Sequence, residues 1–203
     1  MRGLCAILLL LVGCGGPVQL ANTPPQNLRI CCFGDSLVEG VGAGGAENKY
    51  PAVLDSLLPG HHEVVAWGTS GDTTADGLNK LPMFADQEFG IIVVTLGGND
   101  ILQRVHWDTT KANLHSLFQK LTGTGAVVVF TGVTGPLNPT RNSHYAKICK
   151  AEGVLLVPEI LDGILNNSDL KADEIHPNAA GYRLMAERVA AALADASLLA
   201  HEE

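Results

Sequence analysis

The chain has 203 residues, of which 46% are hydrophobic and 17% are charged, and its formal net charge is −8. This length and apolar content predict one globular domain with a substantial core. The 13 Lys and Arg residues are scattered and form no basic stripe of the kind that binds a phosphate backbone. The composition therefore argues against a nucleic-acid partner.

The N-terminus predicts export from the cell. Arg2 precedes an apolar run at residues 4–12, which is too short to span a bilayer and is typical of a secretory signal. The stretch LVGC that ends at Cys14 resembles the lipobox of bacterial lipoproteins, in which the cysteine is acylated and becomes the mature N-terminus. A plain signal peptide and a buried strand are the alternatives.

The lipobox resemblance implies three segments: a signal peptide at 1–13, a lipidated tether at 14–27 and a folded domain at 28–203. Cys14 is the predicted lipidation site, and the lipid anchors the protein to a membrane of the bacterial cell envelope. Gly15 follows this cysteine in place of the Asp associated with inner-membrane retention, so an outer-membrane or surface address is compatible with the sequence.

The cysteines predict neither a disulfide framework nor a metal site. Once Cys5 leaves with the signal and Cys14 is acylated, an odd number remains: Cys31, Cys32 and Cys149. The adjacent pair lies in an apolar run, which is typical of buried, unreactive thiols. No CxxC or HxxxH spacing occurs, so we predict no metal site.

Short apolar runs alternate with amphipathic segments along the domain. Most of the runs are continuous rather than alternating, as in parallel strands buried on both faces. The predicted strands are 28–33, 63–67, 90–96, 126–131 and 154–157. The predicted helices are 50–58, 74–81, 109–121, 141–152 and 178–196. This order predicts a three-layer α/β/α sandwich with a five-stranded parallel sheet and a ligand crevice beyond the carboxyl ends of its strands.

Three loops that follow successive strands contain residues with catalytic potential. Ser36 comes directly after the first strand and is a candidate nucleophile, although serines at strand ends are usually caps. Gly71 lies in a turn after the second strand, where a backbone N–H can face an oxyanion. Asn99 follows two glycines after the third strand and offers a neutral amide donor. Each loop taken alone is also explained as an ordinary turn.

The stretch DEIHP near the C-terminus adds an acid and a histidine three residues apart, Asp173 and His176. Pro177 disfavours helical geometry for His176 and suits the first turn of a helix, so we expect His176 at the mouth of the last helix. An acid that orients the imidazole Nδ1–H and a serine facing Nε2 are the elements of a Ser-His-Asp triad. A helix cap alone would not require a histidine.

These blocks together resemble the GDSL, or SGNH, hydrolase family. GDSL at 34–37, SGDTT at 70–74, LGGND at 96–100 and DEIHPNAAGY at 173–182 occur in the family's order, and the resemblance covers residues 30–189. The branch with the nearest likeness is the bacterial arylesterase, lysophospholipase and thioesterase I type. The resemblance implies a carboxylic ester hydrolase that acts on a small-molecule ester or lipid.

The resemblance also implies the site residues. Ser36 is then the nucleophile, and Asp173 and His176 complete the triad. The oxyanion hole consists of the Ser36 N–H, the Gly71 N–H and the Asn99 side chain. The three other loop aspartates act as hydrogen-bond acceptors that hold the loops: Asp35, Asp72 and Asp100.

The chain departs from the family pattern in three places. Ala66 stands where many relatives have Asn, Glu174 replaces a frequent Gly, and segment 133–151 is shorter than in relatives. The last region helps to wall the acyl pocket in the family, so the substrate is the part of the resemblance that transfers least.

Three other functions are compatible with parts of the sequence. A carbohydrate O-acetylesterase would use the same triad, and a surface lipoprotein could keep the fold for binding after losing catalysis. A dinucleotide site is suggested by GVGAGG at 40–45, which formally matches GxGxxG. The glycines begin several residues after the strand and no helix opens on them, which argues against this last function.

Overall fold

The computed structural model describes residues 18–60, 62–134 and 141–199. It has five strands in chain order: β1 (Arg29–Gly34), β2 (Glu63–Gly68), β3 (Ile91–Thr95), β4 (Val127–Thr131) and β5 (Leu155–Val157). The strands form one parallel sheet in the spatial order β2-β1-β3-β4-β5. The five-stranded parallel sheet predicted from the apolar runs is therefore confirmed.

Seven α-helices connect or flank these strands within the described ranges. In chain order they are α1 (Ser36–Glu39), α2 (Tyr50–Leu57), α3 (Thr74–Asn79), α4 (Gly98–Leu102), α5 (Trp107–Thr122), α6 (Arg141–Glu152) and α7 (Ala179–Asp195). Two short 3₁₀ turns, Ala46–Asn48 and Leu81–Phe84, lie before α2 and after α3. The sequence missed α1 and α4, which are too short to show a helical period.

The sheet is buried between two helical layers, which gives the predicted three-layer sandwich. β3 and β4 are buried along their whole length, as continuous apolar runs require. Successive residues of a strand point to opposite faces. Cys32 thus packs with α2 and α7, whereas its neighbour Cys31 packs with α5 and α6. Burial raises the pKa of the Cys32 thiol to about 12, so this thiol is unreactive at neutral pH.

The described part of the predicted tether lies against the domain. Ala21 donates a backbone hydrogen bond to Gly153 (2.8 Å), and the Asn22 amide donates to the carbonyls of Thr122 (2.7 Å) and Ala126 (2.8 Å). Residues 21–27 thus extend the folded body ahead of residue 28. The signal segment 1–13 and Cys14 lie outside the described residues. No helix in the described ranges has the length and apolar character needed to cross a membrane.

The last helix begins at Ala179, one residue after its predicted start at 178. Asn178 is its N-cap, and the Asn178 side chain accepts hydrogen bonds from the backbone N–H groups of Ala180 (3.0 Å) and Gly181 (3.1 Å). Pro177 instead forms an antiparallel bridge with Lys171. Pro177 is therefore part of the turn that precedes α7 and not its first residue, and His176 belongs to that turn.

Candidate active site

Ser36 stands where β1 ends, at the carboxyl edge of the sheet, and is the first residue of α1. Asp35 caps this short helix, since its Oδ1 accepts a hydrogen bond from the Leu37 N–H at 3.0 Å. The Ser36 residue is 8% exposed. The N–H of a first helical residue has no acceptor within its own helix, so this N–H is available to a ligand.

The residues of the DEIHP stretch form a closed turn that presents His176 to Ser36. The turn is closed by the Ala172 N–H, which donates to the His176 carbonyl at 2.9 Å. Inside it, Asp173 Oδ1 accepts from the backbone N–H groups of Ile175 and His176, both at 2.9 Å. This local side-chain turn holds the acid and the imidazole in one fixed orientation.

The three side chains predicted as a triad make a continuous row. Asp173 Oδ2 lies 2.8 Å from His176 Nδ1, and His176 Nε2 lies 3.1 Å from Ser36 Oγ. An ionised carboxylate only accepts hydrogen bonds, so Nδ1 must carry the hydrogen. In the neutral imidazole, Nε2 is then the acceptor that faces the serine hydroxyl. This is the geometry in which a histidine can remove the serine proton.

The loop after β2 brings Gly71 toward the same edge of the sheet. The Asp72 N–H closes a turn by donating to the Thr69 carbonyl at 3.2 Å. Gly71 occupies the third position of this turn with φ +87°, in the left-handed region that favours glycine. The Gln103 side chain, just after α4, donates to the Gly71 carbonyl at 3.3 Å.

Asn99 is held by one of its two amide hydrogens. Its Nδ2 donates to the Asp72 carbonyl at 2.9 Å and lies at a longer 3.4 Å from Asp35 Oδ2. The second hydrogen therefore faces a weak acceptor beside Ser36. The next residue, Asp100, is fully buried and ties the loops together, because it accepts hydrogen bonds from the Thr74 N–H (2.8 Å) and the Thr110 hydroxyl (3.0 Å).

A largely apolar cleft of about 270 Å³ opens beside Ser36 and His176. Aliphatic side chains from separate elements line most of it: Leu37, Ile101, Leu102, Val133, Leu161, Leu165 and Ile175. Polar residues also line the cleft, among them Arg141, Asn99 and Glu174. Elsewhere in the described ranges, no three His, Cys, Asp or Glu side chains are grouped so that they could hold a metal ion.

The family model described as "GDSL-like Lipase/Acylhydrolase family" matches residues 32–184. This range is about three quarters of the chain and contains all four blocks. The chain belongs to the GDSL-like lipase/acylhydrolase family. The resemblance predicted from the motifs is thereby confirmed.

Individual relatives of this GDSL hydrolase agree with the family. It is 32% identical over 193 residues to the Esterase TesA of Pseudomonas aeruginosa, covering 89% of this chain and 94% of that protein. It is 29% identical to the Thioesterase 1/protease 1/lysophospholipase L1 of Escherichia coli K12, over 78% of this chain and 79% of that one. A crystal structure of TesA superposes with a TM-score of 0.75 at 31% identity, covering 81% of this chain and 97% of that chain. The protein is therefore a carboxylic ester hydrolase.

At the active site of this GDSL hydrolase, the pKa values of Asp35 and Asp173 are shifted from their ordinary range. Burial raises the pKa of Asp35 to about 7, and the hydrogen bond from the Leu37 N–H and the nearby His176 only partly oppose this effect. The hydrogen bond to His176 lowers the pKa of Asp173, and the backbone donor of Ile175 acts in the same direction. Asp173 is therefore ionised at neutral pH, as an acceptor for Nδ1–H must be.

The glycine-rich stretch 40–45 has a structural role beside the triad. Gly42 has φ +88°, and a Cβ at this position would lie 2.7 Å from the Ala172 Cβ and 2.7 Å from the Pro177 carbonyl oxygen. Glycine therefore lets this loop pack directly under the turn that holds His176. No helix opens on the glycines: α1 ends before them, and the residues that follow form a 3₁₀ turn. The dinucleotide interpretation lacks its structural context.

Of the three departures from the family pattern, two line the cleft and one does not. Ala66 is on β2, and its side chain is exposed. Glu174 lines the cleft, but its side chain is 92% exposed and its Oε2 lies 3.5 Å from Lys171 Nζ. In segment 133–151, which is expected from the sequence to be short, the described part comprises Val133, Thr134 and most of α6, and it supplies three residues of the cleft wall.

Two residues near the site were not singled out from the sequence. The Tyr182 hydroxyl donates to the Val41 carbonyl at 2.7 Å and anchors α7 to the loop after α1. Tyr182 is the last residue of the block DEIHPNAAGY and lies on the buried side of α7. Its position in that block was therefore a usable signal of its role. Arg141 is 9% exposed and lines the cleft, and nothing in the sequence pattern around it predicted this position.

Proposed function

We propose that the protein hydrolyses acyl esters through a covalent acyl-enzyme on Ser36. The observation that carries this proposal is the hydrogen-bonded row from Asp173 through His176 to Ser36, with spacings of 2.8 and 3.1 Å. Ser36 and His176 line a cleft whose aliphatic side chains can pack against an acyl chain. The chemistry is thus arylesterase-, lysophospholipase- or thioesterase-like.

In the first step, Ser36 Oγ attacks the ester carbonyl carbon while His176 Nε2 takes the hydroxyl proton. The carboxylate of Asp173 holds the ring in the required tautomer and stabilises the imidazolium that forms. The carbonyl π electrons move to oxygen, which gives a tetrahedral oxyanion. Collapse of this intermediate breaks the bond to the leaving oxygen, and His176 donates its proton to that oxygen.

Three donors stabilise the oxyanion in this scheme. They are the N–H of Ser36, the N–H of Gly71 and the second hydrogen of the Asn99 amide. Asn99 suits this role because its first hydrogen is already bound to the Asp72 carbonyl and its second faces only a 3.4 Å contact. Such a donor needs little reorganisation when the negative charge develops.

Water completes the cycle. His176 removes a proton from a water molecule, whose oxygen attacks the acyl carbon on Ser36 and forms a second oxyanion. Collapse of this intermediate returns the proton to Ser36 Oγ and releases the carboxylic acid. The scheme requires no cofactor.

The cleft favours an alkyl acyl group of short to medium length. Its volume of about 270 Å³ is close to the lower limit for small-molecule sites, which is roughly 300 Å³. Each buried CH₂ contributes about 0.8 kcal/mol, or roughly a fourfold gain in kcat/KM, until the cleft is full. A carbohydrate O-acetylesterase is the alternative, but the residues that line the cleft include no Phe, Tyr or Trp on which a sugar could stack. Trp67 packs against Phe84 and Phe89, so it offers no free sugar platform.

A series of 4-nitrophenyl esters from acetyl to palmitoyl tests this proposal. The wild type should show kcat/KM rising from acetyl to a medium-chain optimum, and Ser36→Ala should abolish the activity. Ser116→Ala, at a half-buried serine on α5, is the matched control and should be as active as the wild type. An optimum at acetyl would favour the acetylesterase. A folded wild type that turns over no ester would favour the catalytically silent lipoprotein.

We further propose that the protein is exported and anchored to a membrane through lipid on Cys14. The support is the LVGC sequence at 11–14 after an apolar run. Expression of the full chain in a bacterial host, followed by detergent phase partition, tests the anchor. The wild type should enter the detergent phase and Cys14→Ser should remain in the aqueous phase, whereas equal partition of the two would argue against lipidation.

A further inference from the structure

Arg141 brings an uncompensated charge to the cleft. It is the first residue of α6, it is 9% exposed, and it lines the same cleft as Ser36 and His176. Its Nε and Nη1 are buried and have no hydrogen-bond partner within the part of the chain that the structure describes. A buried donor without an acceptor is costly, and a guanidinium stays protonated at any physiological pH.

The surroundings of Arg141 hold the side chain in place without neutralising it. The guanidinium carbon lies 5.1 Å from the centre of the Trp107 ring, as in a cation–π contact. Arg141 also lies close enough to Tyr145 to oppose the rise that burial causes in the pKa of its hydroxyl, and that hydroxyl donates to the Val133 carbonyl at 3.2 Å. Both contacts fix the orientation of the guanidinium, and neither supplies a negative charge.

Acidic side chains near the cleft are engaged elsewhere. Among the described residues, none of the ion pairs within 4.0 Å includes Arg141. Asp35 faces Asn99, Asp173 faces His176, and Glu174 points to solvent near Lys171. A cleft with mostly apolar walls thus contains a buried guanidinium that has no carboxylate within ion-pair distance among the described residues.

We propose that Arg141 is an anion-binding residue of the substrate cleft and selects esters that carry a carboxylate or phosphate group. This inference rests on the proposed esterase function and adds the class of substrate to it. A planar guanidinium suits both anions because it can donate two parallel hydrogen bonds. The anion would reside on the distal end of the acyl chain or on the alcohol portion of the ester.

Matched substrate pairs distinguish an anion on the acyl chain from an anion on the alcohol portion. The first pair is 4-nitrophenyl octanoate and the 4-nitrophenyl half-ester of suberic acid, which differ by a terminal carboxylate. The second pair is a monoacylglycerol and the lysophosphatidic acid with the same acyl chain. For each pair, the measured quantity is the ratio of kcat/KM for the anionic member to kcat/KM for the neutral member.

Arg141→Gln should lower this ratio by about 10- to 100-fold for the pair whose anion reaches the guanidinium, as expected for a lost charged hydrogen bond. Arg141→Lys should recover part of the ratio, because lysine keeps the positive charge but cannot donate two parallel hydrogen bonds. Arg183→Gln removes the same charge from the exposed face of α7 and should leave both ratios unchanged. A decrease in the first pair assigns the anion to the acyl chain, and a decrease in the second assigns it to the alcohol.

The proposal is overturned if Arg141→Gln leaves both ratios within twofold of wild type while neutral esters are still hydrolysed. Loss of Ser36-dependent turnover on all four substrates would instead overturn the proposed function. A measurement on the wild type alone tests the proposal even if a variant fails to fold. Dicarboxylates from adipate to sebacate should inhibit at least about tenfold more strongly than the monocarboxylates of equal length, and equal inhibition also overturns the proposal.

Discussion

Replacing Asp173 with Asn separates its electrostatic role from its structural one. Asp173 Oδ1 accepts two backbone hydrogen bonds at 2.9 Å, and Oδ2 faces His176 Nδ1 at 2.8 Å. An Asn side chain can keep the first two with its carbonyl oxygen, but its NH₂ group then faces Nδ1. The ring must place its hydrogen on Nε2, which points at Ser36 Oγ and can no longer accept a proton. We expect kcat to fall on the order of 10³- to 10⁴-fold.

Replacing Asp173 with Ala provides the comparison. This variant loses all three hydrogen bonds and should lose roughly 1–2 kcal/mol of stability, because the freed N–H groups are close to solvent. The Asp173 side chain is 52% exposed, so water can enter and leave the ring free to adopt the productive tautomer. We therefore expect Asp173→Ala to be less stable than Asp173→Asn and at least as active.

The assay for this pair is kcat on 4-nitrophenyl butyrate together with the melting temperature of each variant. Activity and stability should rank the two variants in opposite orders. If Asp173→Asn retains activity within tenfold of wild type, the reasoning about the tautomer is wrong. If the activity loss simply follows the stability loss, Asp173 is a structural residue of the turn.

Three further outcomes are expected. Asn99→Ala should lower kcat on the order of 10²- to 10³-fold with little change in KM, since an oxyanion donor acts in the transition state; an unchanged kcat would exclude that role. The pKa of Asp35 is about 7 in the folded state and 3.8 for the ordinary group, so the folded state holds this proton more tightly. The contribution of Asp35 to the free energy of unfolding therefore falls as the pH rises from about 4 to about 7. The fall totals roughly 4 kcal/mol. Asp35→Asn should remove this slope in urea unfolding between pH 4 and 8, and an identical slope would contradict the assignment. Tyr182→Phe should destabilise the protein by about 1 kcal/mol through loss of the hydrogen bond to Val41, and an unchanged urea midpoint would show that bond to be negligible.

The sheet was predictable because its central strands β1, β3 and β4 are buried on both faces. The runs that became β3 and β4 contain only apolar residues up to a terminal Thr, and such runs have few other places in a globular domain. The positions of Ser36 and Asn99 followed from this, since loops after parallel strands meet at one edge. Their short helices did not follow, because four or five residues show no period.

The sequence predicted that His176 precedes the last helix, but it did not predict the contacts that hold His176 there. Pro177 was expected to suit the first turn of the last helix, whereas it lies before the helix, and the orientation of His176 comes from the Asp173 turn and from the bridge between Lys171 and Pro177. The Asp173 side chain thus holds its own loop as well as the imidazole. A spacing of three residues is compatible with both roles, so the sequence alone does not separate them.

The cleft could not be predicted from patterns in the sequence. Its walls combine Leu37, Val133, Leu165 and Ile175, which come from four separate parts of the chain. None of these residues belongs to a periodic face that differs from ordinary core. The burial of Arg141 is equally invisible locally, because a cation at the start of a helix is usually exposed. Only the assembled fold reveals that this charge faces a substrate cleft.

The most direct test of the central claim is peptide mapping by mass spectrometry after reaction with a fluorophosphonate. The account predicts that the wild type gains one phosphonyl group on Ser36 and loses esterase activity in proportion, while folded Ser36→Ala gains none. A wild type that hydrolyses esters but remains unlabelled, or that carries the group on another residue, would contradict an acyl-enzyme on Ser36.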